Sequence, residues 1–340
     1  MLLRPGALAL LILLVTAPLA RAAVGFQQLT IQDPQGASIE VGVWYPTNAA
    51  PTLSNPDLAA EALAPNGPVE GHGLPLVVIS HGTGGDFAGH SDTAAALAEA
   101  GFVAAALTHT GDNWRDHSAA LRIWDRPRQL TVLIDYMLQA WPARDHINPG
   151  RIGAFGFSAG GFTVLAAAGG EPDLSAIGPH CIEHPQAFEC RLRAGAPGPA
   201  PDASPVTHDP RIRAIVAAAP ALGYTFSREG LAQVRLPVQL WRAENDQVLP
   251  HPYHAEAVRA ALPTEPETHV VAAAGHFDFL RPCSAAITQH APEICKSAPG
   301  FDRAAFHADF NRAVVAFFER TLTPASAAAA PGGAARLRRR

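Results

Sequence analysis

Short apolar runs alternate with helical segments along most of this 340-residue chain. The runs "LPLVVIS" (residues 74–80) and "FVAAALT" (102–108) have the length and unbroken hydrophobicity of strands that are buried on both faces. A helical pattern over residues 91–100 lies between them. Strands and helices in alternation form a mostly parallel sheet with helices on both faces. We therefore expect an α/β fold, and the 48% hydrophobic composition suffices for one large core.

The alternation continues towards the carboxyl end of the chain. Further strands are expected in "SIEVGVWYP", "RIGAFGF", "RIRAIVAAAP", "LPVQLWRAEND" and "ETHVVAAAG", and further helices in "FTVLAAA" and near residues 125–140, 252–262 and 304–322. We expect Asp86 or Ser91 to cap the helix that begins near residue 91. Residues 171–209 are rich in proline, glycine and histidine, so a loop or small lid is expected there.

Both ends of the chain differ in composition from this central part. Residues 1–22 combine Arg4, a short apolar run and a small-residue site, which is the pattern of a secretory signal peptide. Residues 323–340 have low complexity and are expected to form a disordered tail. We expect one domain over residues 23–322, a secreted or periplasmic location, and no membrane-spanning segment once the signal is removed.

The charge pattern excludes one class of partner. Charged residues make up 16% of the chain, the formal net charge is −5, and both signs are mixed. A surface of this kind has no basic face for nucleic acid, so no nucleic-acid partner is expected. The oligomeric state is left open.

Export would bring the four cysteines into an oxidising compartment, where an even number favours two disulfide bonds. Cys181 and Cys190 are close in sequence, as are Cys283 and Cys295, and we expect these two local pairs among the three possible connectivities. A metal site is the alternative, because two histidines adjoin the first pair in "HCIEHPQAFEC". The spacing does not match the paired-cysteine zinc signatures, so disulfide bonds are favoured.

Ser158 lies between an apolar strand and a helical segment in "RIGAFGFSAGGFTVLAAA". With Gly156 and Gly160 it forms G-x-S-x-G, and in this context a sharp turn exposes the serine at the carboxyl edge of the sheet. The small neighbours let strand and helix approach closely, and the helix N-terminus favours negative charge. We expect a nucleophile here. The alternatives are an ordinary glycine-rich turn and a phosphate-binding turn. Neither this stretch nor "HGTGGDF" completes the G-x-G-x-x-G dinucleotide fingerprint.

A nucleophilic serine needs a histidine to take its proton and an acid to orient that histidine. In this architecture the acid and then the histidine follow the serine in the chain. Asp246 lies on the loop after "VQLWRAEN", and His276 follows "VVAAAG". Both positions come after predicted strands and at the carboxyl edge, so we expect Asp246 and His276 to complete the catalytic set with Ser158.

Rival residues exist for both roles. Glu244 precedes Asp246 by two residues and is the alternative acid. The other late histidines are His251, His254 and His269. We expect these three to be surface residues, because the first two lie on the loop and helix after Asp246 and the third begins a strand at the opposite edge.

The negative oxygen formed during acyl transfer needs two backbone N–H donors. One is expected from Ala159, the residue after the nucleophile. The other is expected from Thr83 in "VVISHGTGGDF", where the glycines leave the backbone exposed after a buried strand. The alternative for this loop is a plain glycine-rich turn.

Four motifs carry a resemblance to a known family: "VWYP", "VVISHGTGG", "GFVAAALTHTGDN" and "RIGAFGFSAGG". They resemble the predicted dienelactone hydrolases of bacteria, a group of α/β-hydrolases similar to platelet-activating-factor acetylhydrolases. The resemblance covers nearly the whole chain after residue 22. It implies the α/β-hydrolase fold, Ser158 as nucleophile, His276 as base, and Thr83 with Ala159 as oxyanion donors.

The chain departs from that group at two points. The acetylhydrolases have their acid soon after the strand that follows the serine, but "IVAAAPALGYTF" contains no carboxylate, which leaves Asp246 after the next strand. Authentic dienelactone hydrolases use a cysteine nucleophile, whereas this chain has Ser158. The group name therefore says little about the substrate.

Together these residues predict a serine hydrolase that cleaves a small-molecule or lipid-like carboxylic ester through an acyl-enzyme, without a metal or organic cofactor. Acyl transfer or amide cleavage by the same residues is one alternative, and a catalytically silent binding protein is another. Residues 171–209 and the loop 112–124 are expected to shape the pocket. His109, Asp112 and Asn113 either line that pocket or are structural turn residues.

Overall fold

A computed structural model of the protein describes residues 23–55, 58, 62–196 and 204–322. The signal peptide and the tail predicted from the sequence lie outside the described residues. A nine-stranded sheet forms the centre of the molecule, in the order β3-β1-β2-β5-β4-β6-β7-β8-β9. The strands are β1 (Ala23–Ile31), β2 (Ile39–Thr47), β3 (Ala64–Pro65), β4 (Leu74–Ser80), β5 (Val103–Leu107), β6 (Ile147–Phe157), β7 (Ile212–Ala218), β8 (Val238–Ala243) and β9 (Glu267–Val271).

Among these strands β2 alone runs against the others. It pairs antiparallel with β1 and with β5, whereas β4, β5, β6, β7, β8 and β9 pair in parallel with one another. The carboxyl ends of all the strands from β4 to β9 therefore meet at one edge of the sheet. The predicted mostly parallel sheet is confirmed.

Helices cover both faces of the sheet, because side chains along a strand point alternately to its two faces. They are α1 (Ser91–Glu99), α2 (Asp125–Gln139), α3 (Ala159–Ala167), α4 (Ile177–Glu183), α5 (Phe188–Gly195), α6 (Ala255–Ala261), α7 (Ala285–His290) and α8 (Arg303–Leu322). Val78 of β4 belongs to the core cluster of α2, α3 and α6, whereas Val77 belongs to that of α1 and α8. Within the described parts of the chain, no helix is long and apolar enough to cross a membrane.

Three details differ from the sequence expectations. Both residues predicted as the cap of α1 are wrong. Ser91 is the first residue of the helix, His90 precedes it without a side-chain cap, and the Asp86 carboxylate instead accepts a hydrogen bond from the Ala88 amide at 2.9 Å. Helix α6 begins at Ala255 rather than at residue 252, because residues 251–254 form a turn. The described part of residues 171–209 contains the two short helices α4 and α5.

Candidate active site

Four loops meet at the carboxyl edge of the sheet, and each carries a residue expected at the site. Thr83 follows β4, Ser158 follows β6, Asp246 follows β8 and His276 follows β9. These strands are parallel and lie side by side with β7 between β6 and β8, so their carboxyl ends point the same way. Residues far apart in sequence are thereby brought together.

Ser158 forms the sharp turn between β6 and α3. Its backbone has φ 57° and ψ −117°, a left-handed region that a non-glycine residue adopts only when its surroundings impose it. The Ser158 amide donates to the Ala218 carbonyl at 2.9 Å. A Cβ atom at Gly156 would lie 2.0 Å from the Gly160 carbonyl oxygen, and one at Gly160 would lie 1.9 Å from the Ser80 carbonyl oxygen. The glycines of the motif therefore permit a close approach that no other residue allows.

A continuous chain of hydrogen bonds links the serine, the histidine and the acid. His276 Nε2 is 3.1 Å from Ser158 Oγ, and His276 Nδ1 is 2.7 Å from Asp246 Oδ2. The other oxygen of Asp246 accepts hydrogen bonds from the amides of Val248 at 3.0 Å and Leu249 at 2.7 Å, which fixes the carboxylate. A carboxylate accepts only, so Nδ1 carries the proton and Nε2 is free to accept the serine proton.

The rival residues occupy other positions. Glu244 accepts a hydrogen bond from the Ala273 amide at 2.9 Å and so supports the turn that precedes the histidine. His251 is exposed, and His269 stacks on Trp241 with ring centroids 3.9 Å apart. The expectation that His254 lies on the surface is wrong: it is 2% exposed, and burial lowers its pKa to about 3.

The two expected oxyanion donors flank the serine. Thr83 and Ala159 line the same pocket as Ser158, and Ala159 is the first residue of α3. Within the described ranges, neither backbone amide donates a hydrogen bond to the protein. Both amides are therefore free to bind a ligand oxygen.

The residues of "THTGDN" support the loop that carries Thr83 and do not line the pocket. His109 lies between Ser80 Oγ, 2.8 Å from its Nε2, and Gln129 Oε1, 2.7 Å from its Nδ1. Asn113 donates to the His109 carbonyl at 2.8 Å. Burial, followed by the charge of Arg126, holds the pKa of His109 well below its usual value, so the ring stays neutral. Of the two interpretations left open for this motif, the structure favours the structural one.

Apolar side chains form most of the pocket around Ser158. Its volume is about 120 Å³, comparable with the ~150 Å³ cavity that accommodates benzene in another protein. As expected, the walls come from the loop 112–124 and from the region after residue 171. The lining residues from these two parts are Ala120, Leu121, Ile123, Trp124, Leu174, Ile177, Phe188, Glu189, Leu192 and Arg193.

The cap segment, residues 174–195, contains α4 and α5 and supplies one of these walls. A disulfide bond joins Cys181 to Cys190 within it. The metal alternative for this region loses its thiolate ligands, because both sulfurs are in the disulfide bond. The His180 ring stacks on that of Tyr224 with ring centroids 3.9 Å apart, and His180 Nε2 lies 3.3 Å from Glu189 Oε1.

The clasp segment, residues 275–303, contains His276 and the second expected disulfide bond, between Cys283 and Cys295. The Asp278 carboxylate accepts a hydrogen bond from the Gly275 amide at 2.8 Å. Its other oxygen accepts one from Arg303 Nε at 3.0 Å. This ion pair was not predicted from the sequence, and it fixes the turn that carries the histidine.

No model of a known protein family matches the chain, and no curated protein matches it. Among solved structures, the chain is similar to a ferulic acid esterase from Streptomyces cinnamoneus, with a TM-score of 0.60 and 20% sequence identity over 93% of this chain and 96% of that chain. The fold is that of the α/β-hydrolases. At this level of identity the likeness carries the fold and says nothing of the substrate.

Proposed function

We propose that this protein is an exported serine hydrolase that cleaves carboxylic esters through an acyl-enzyme. The observation that carries the proposal is the hydrogen-bonded chain from Ser158 Oγ to His276, 3.1 Å, and from His276 to Asp246, 2.7 Å. These distances are those of a nucleophile, its base and the acid that orients the base. The left-handed backbone at Ser158 supports the same role.

The reaction would proceed in two halves. Ser158 Oγ attacks the ester carbonyl carbon while its proton passes to His276 Nε2, and the Thr83 and Ala159 amides bind the negative oxygen. The bond to the alcohol then breaks, and the alcohol takes the proton from Nε2. In the second half, water attacks the carbonyl carbon of the acyl-enzyme while one of its protons passes to Nε2. The acyl group then leaves as the carboxylic acid, and Ser158 Oγ takes the proton back from Nε2. Asp246 stabilises the imidazolium in both halves.

The apolar pocket supports a substrate with a compact, largely hydrophobic acyl group, which suits a small-molecule or lipid-like ester. Ferulic acid esters are one choice for a first trial, since the structural neighbour is named for that activity. We further propose that the chain belongs to the group similar to dienelactone hydrolases and platelet-activating-factor acetylhydrolases. Two of the four motifs behind that assignment carry Thr83 and Ser158.

Export and a covering lid are parts of the same proposal. The two disulfide bonds support a secreted or periplasmic location, because such bonds persist in oxidising compartments. The cap segment supports the lid, since it lines the pocket beside Ser158 and contains the first of these bonds.

The test is a panel of 4-nitrophenyl esters of graded acyl length, measured beside a phospholipid, a lactone and a ferulic acid ester. We expect the folded protein to hydrolyse at least the short nitrophenyl esters. No turnover of any ester would contradict the proposal. Faster transfer to added alcohols than to water, or cleavage of peptides, would favour the alternative activities instead.

Substitution of the two carboxylates near β8 tests the assignment of the acid. Asp246→Asn should lower kcat by about 10⁴-fold, because an amide stabilises the wrong tautomer of the histidine. Glu244→Gln is the matched control and should change kcat little, since that side chain contacts the turn and not the ring. The opposite ranking would make Glu244 the acid.

A further inference from the structure

Arg126 is a buried charged residue to which the proposed reaction gives no task. It lies on α2, is 2% exposed, and donates from Nη1 to Asp112 Oδ2 at 2.6 Å. Asp112 is also 2% exposed. A buried ion pair adds little net stability compared with apolar residues of the same volume, because both charges lose their hydration. Stability alone therefore does not account for the pair.

Both partners of the pair also bind the loop that follows β4. Arg126 Nη2 donates to the His81 carbonyl oxygen, and Asp112 Oδ1 accepts a hydrogen bond from the Gly84 amide at 3.1 Å. These two backbone atoms flank Thr83 on either side. The ion pair thus restrains the peptide units around the Thr83 amide, which is the first of the two oxyanion donors.

The same guanidinium group reaches the second donor through one side chain. Arg126 Nε donates to Thr163 Oγ1 at 3.2 Å, and Thr163 Oγ1 donates to the Ala159 carbonyl at 2.8 Å. Thr163 and Ala159 lie one turn apart on α3. A single planar group therefore connects the loop of one donor to the first helical turn of the other.

We propose that the Arg126–Asp112 pair is a positioning device that fixes the Thr83 and Ala159 amides relative to each other for oxyanion binding. This inference rests on the proposed function, because the oxyanion forms only in that reaction. Arginine suits the task because its donors lie in a rigid fork, which lysine lacks. Precise separation matters here, since a displacement of about 1 Å can lower the rate of a reaction roughly 100-fold.

The decisive variant is Arg126→Met, measured with 4-nitrophenyl acetate and with a trifluoromethyl ketone whose adduct with Ser158 carries an oxyanion. We expect kcat to fall about 100-fold and the inhibition constant to rise by a similar factor, with KM within about threefold of wild type. Arg128→Met is the matched control. Arg128 lies on the same helix and forms its own ion pair with Asp33, at 2.6 Å, away from the loop. We expect it to leave kcat and inhibition near wild type.

A double variant separates positioning from mere stability. Arg126→Met with Asp112→Leu removes both buried charges, so it should regain the thermal stability that the single variant loses. Its kcat should stay low, because the hydrogen bonds to His81 and Gly84 are still missing. Recovery of kcat together with stability would overturn the inference, as would a kcat within about threefold of wild type in a folded Arg126→Met protein. A wild-type protein without esterase activity would overturn the proposed function and this inference with it.

Discussion

The cap segment and the clasp segment each contain one disulfide bond beside the site, but different kinds of interaction fix their conformations. Ring contacts hold the cap: His180 stacks on Tyr224, and the ring of His184 lies 4.6 Å from that of Tyr253. A buried ion pair joins the two ends of the clasp to each other: Arg303 binds Asp278 and also donates to the Ile294 carbonyl at 2.9 Å.

The difference matches what each segment supplies. The cap supplies an apolar wall, and contacts between apolar surfaces are non-directional, so the wall tolerates small displacements. The clasp supplies His276, whose Nε2 must stay within hydrogen-bonding distance of Ser158 in the proposed reaction. We infer that directional, charged interactions are found where reacting atoms must be aligned, and adaptable ring contacts where only the shape of the pocket is set.

The largest effect that this comparison predicts is that of Arg303→Met. The substitution leaves the Asp278 carboxylate buried without its cation, which costs about 3–5 kcal/mol of the free energy of unfolding. Because Asp278 also binds the Gly275 amide, we expect kcat to fall as well. Thermal unfolding and ester turnover measure the two effects.

Arg312→Met is the control for that substitution. Arg312 lies on the same helix, and its pair with Asp309 is largely exposed, so its loss should change the free energy of unfolding by less than about 1 kcal/mol. Equal effects of the two substitutions would contradict the role assigned to the clasp.

Removal of each disulfide bond should affect catalysis differently in the two segments, although the losses of stability should be similar. The bridges close loops of similar size, with sequence separations of 9 and 12 residues, so each contributes on the order of 3 kcal/mol or less. Cys283→Ser with Cys295→Ser should reduce kcat as well as stability, because the histidine lies in that segment. Cys181→Ser with Cys190→Ser should instead change KM and the preferred acyl length. Equal losses of kcat would remove the distinction between the segments.

The smallest predicted effect is that of low pH on His254, whose ring lies 5.8 Å from that of Tyr224, the residue on which His180 of the cap stacks. Burial lowers the pKa of His254 from 6.5 to about 3. Between these values the unfolded chain binds the proton and the folded protein does not, so stability falls as the pH drops below 6.5. The share of this one group is about 2 kcal/mol between pH 7 and pH 5.

His254→Gln should therefore flatten the dependence of the free energy of unfolding on pH in that interval. Denaturant titrations at a series of pH values measure the slope, and His251→Gln, at an exposed histidine, is the control. An unchanged slope in His254→Gln would contradict a neutral, buried His254.

The central strands could be predicted from the sequence, and the site residues could be proposed from it, because both depend on local patterns. Val77 and Val78 belong to a continuous apolar run, and Ser158, Asp246 and His276 each follow such a run. The register of parallel strands then brings those positions to one edge without further information.

Interactions between distant segments were not predictable in the same way. The residues around Arg126 and Arg303 in the sequence do not indicate which carboxylate each arginine binds. A basic residue on a predicted helix ordinarily lies on the solvated face. Asp86 illustrates the same limit at short range, since it is one of the two residues expected to cap α1 and instead accepts a hydrogen bond from the Ala88 amide. The burial of His254 depends on how segments distant in the sequence, such as that of Tyr224, pack against it, which no local pattern encodes.

The most direct test of the account is to find the residue that becomes acylated. A fluorophosphonate probe reacts with an activated serine, and peptide mapping by mass spectrometry locates the adduct. We predict one adduct per chain, on Ser158, and no labelling of a folded Ser158→Ala protein. Labelling of another residue, or ester hydrolysis that persists at the wild-type rate in Ser158→Ala, would contradict the account.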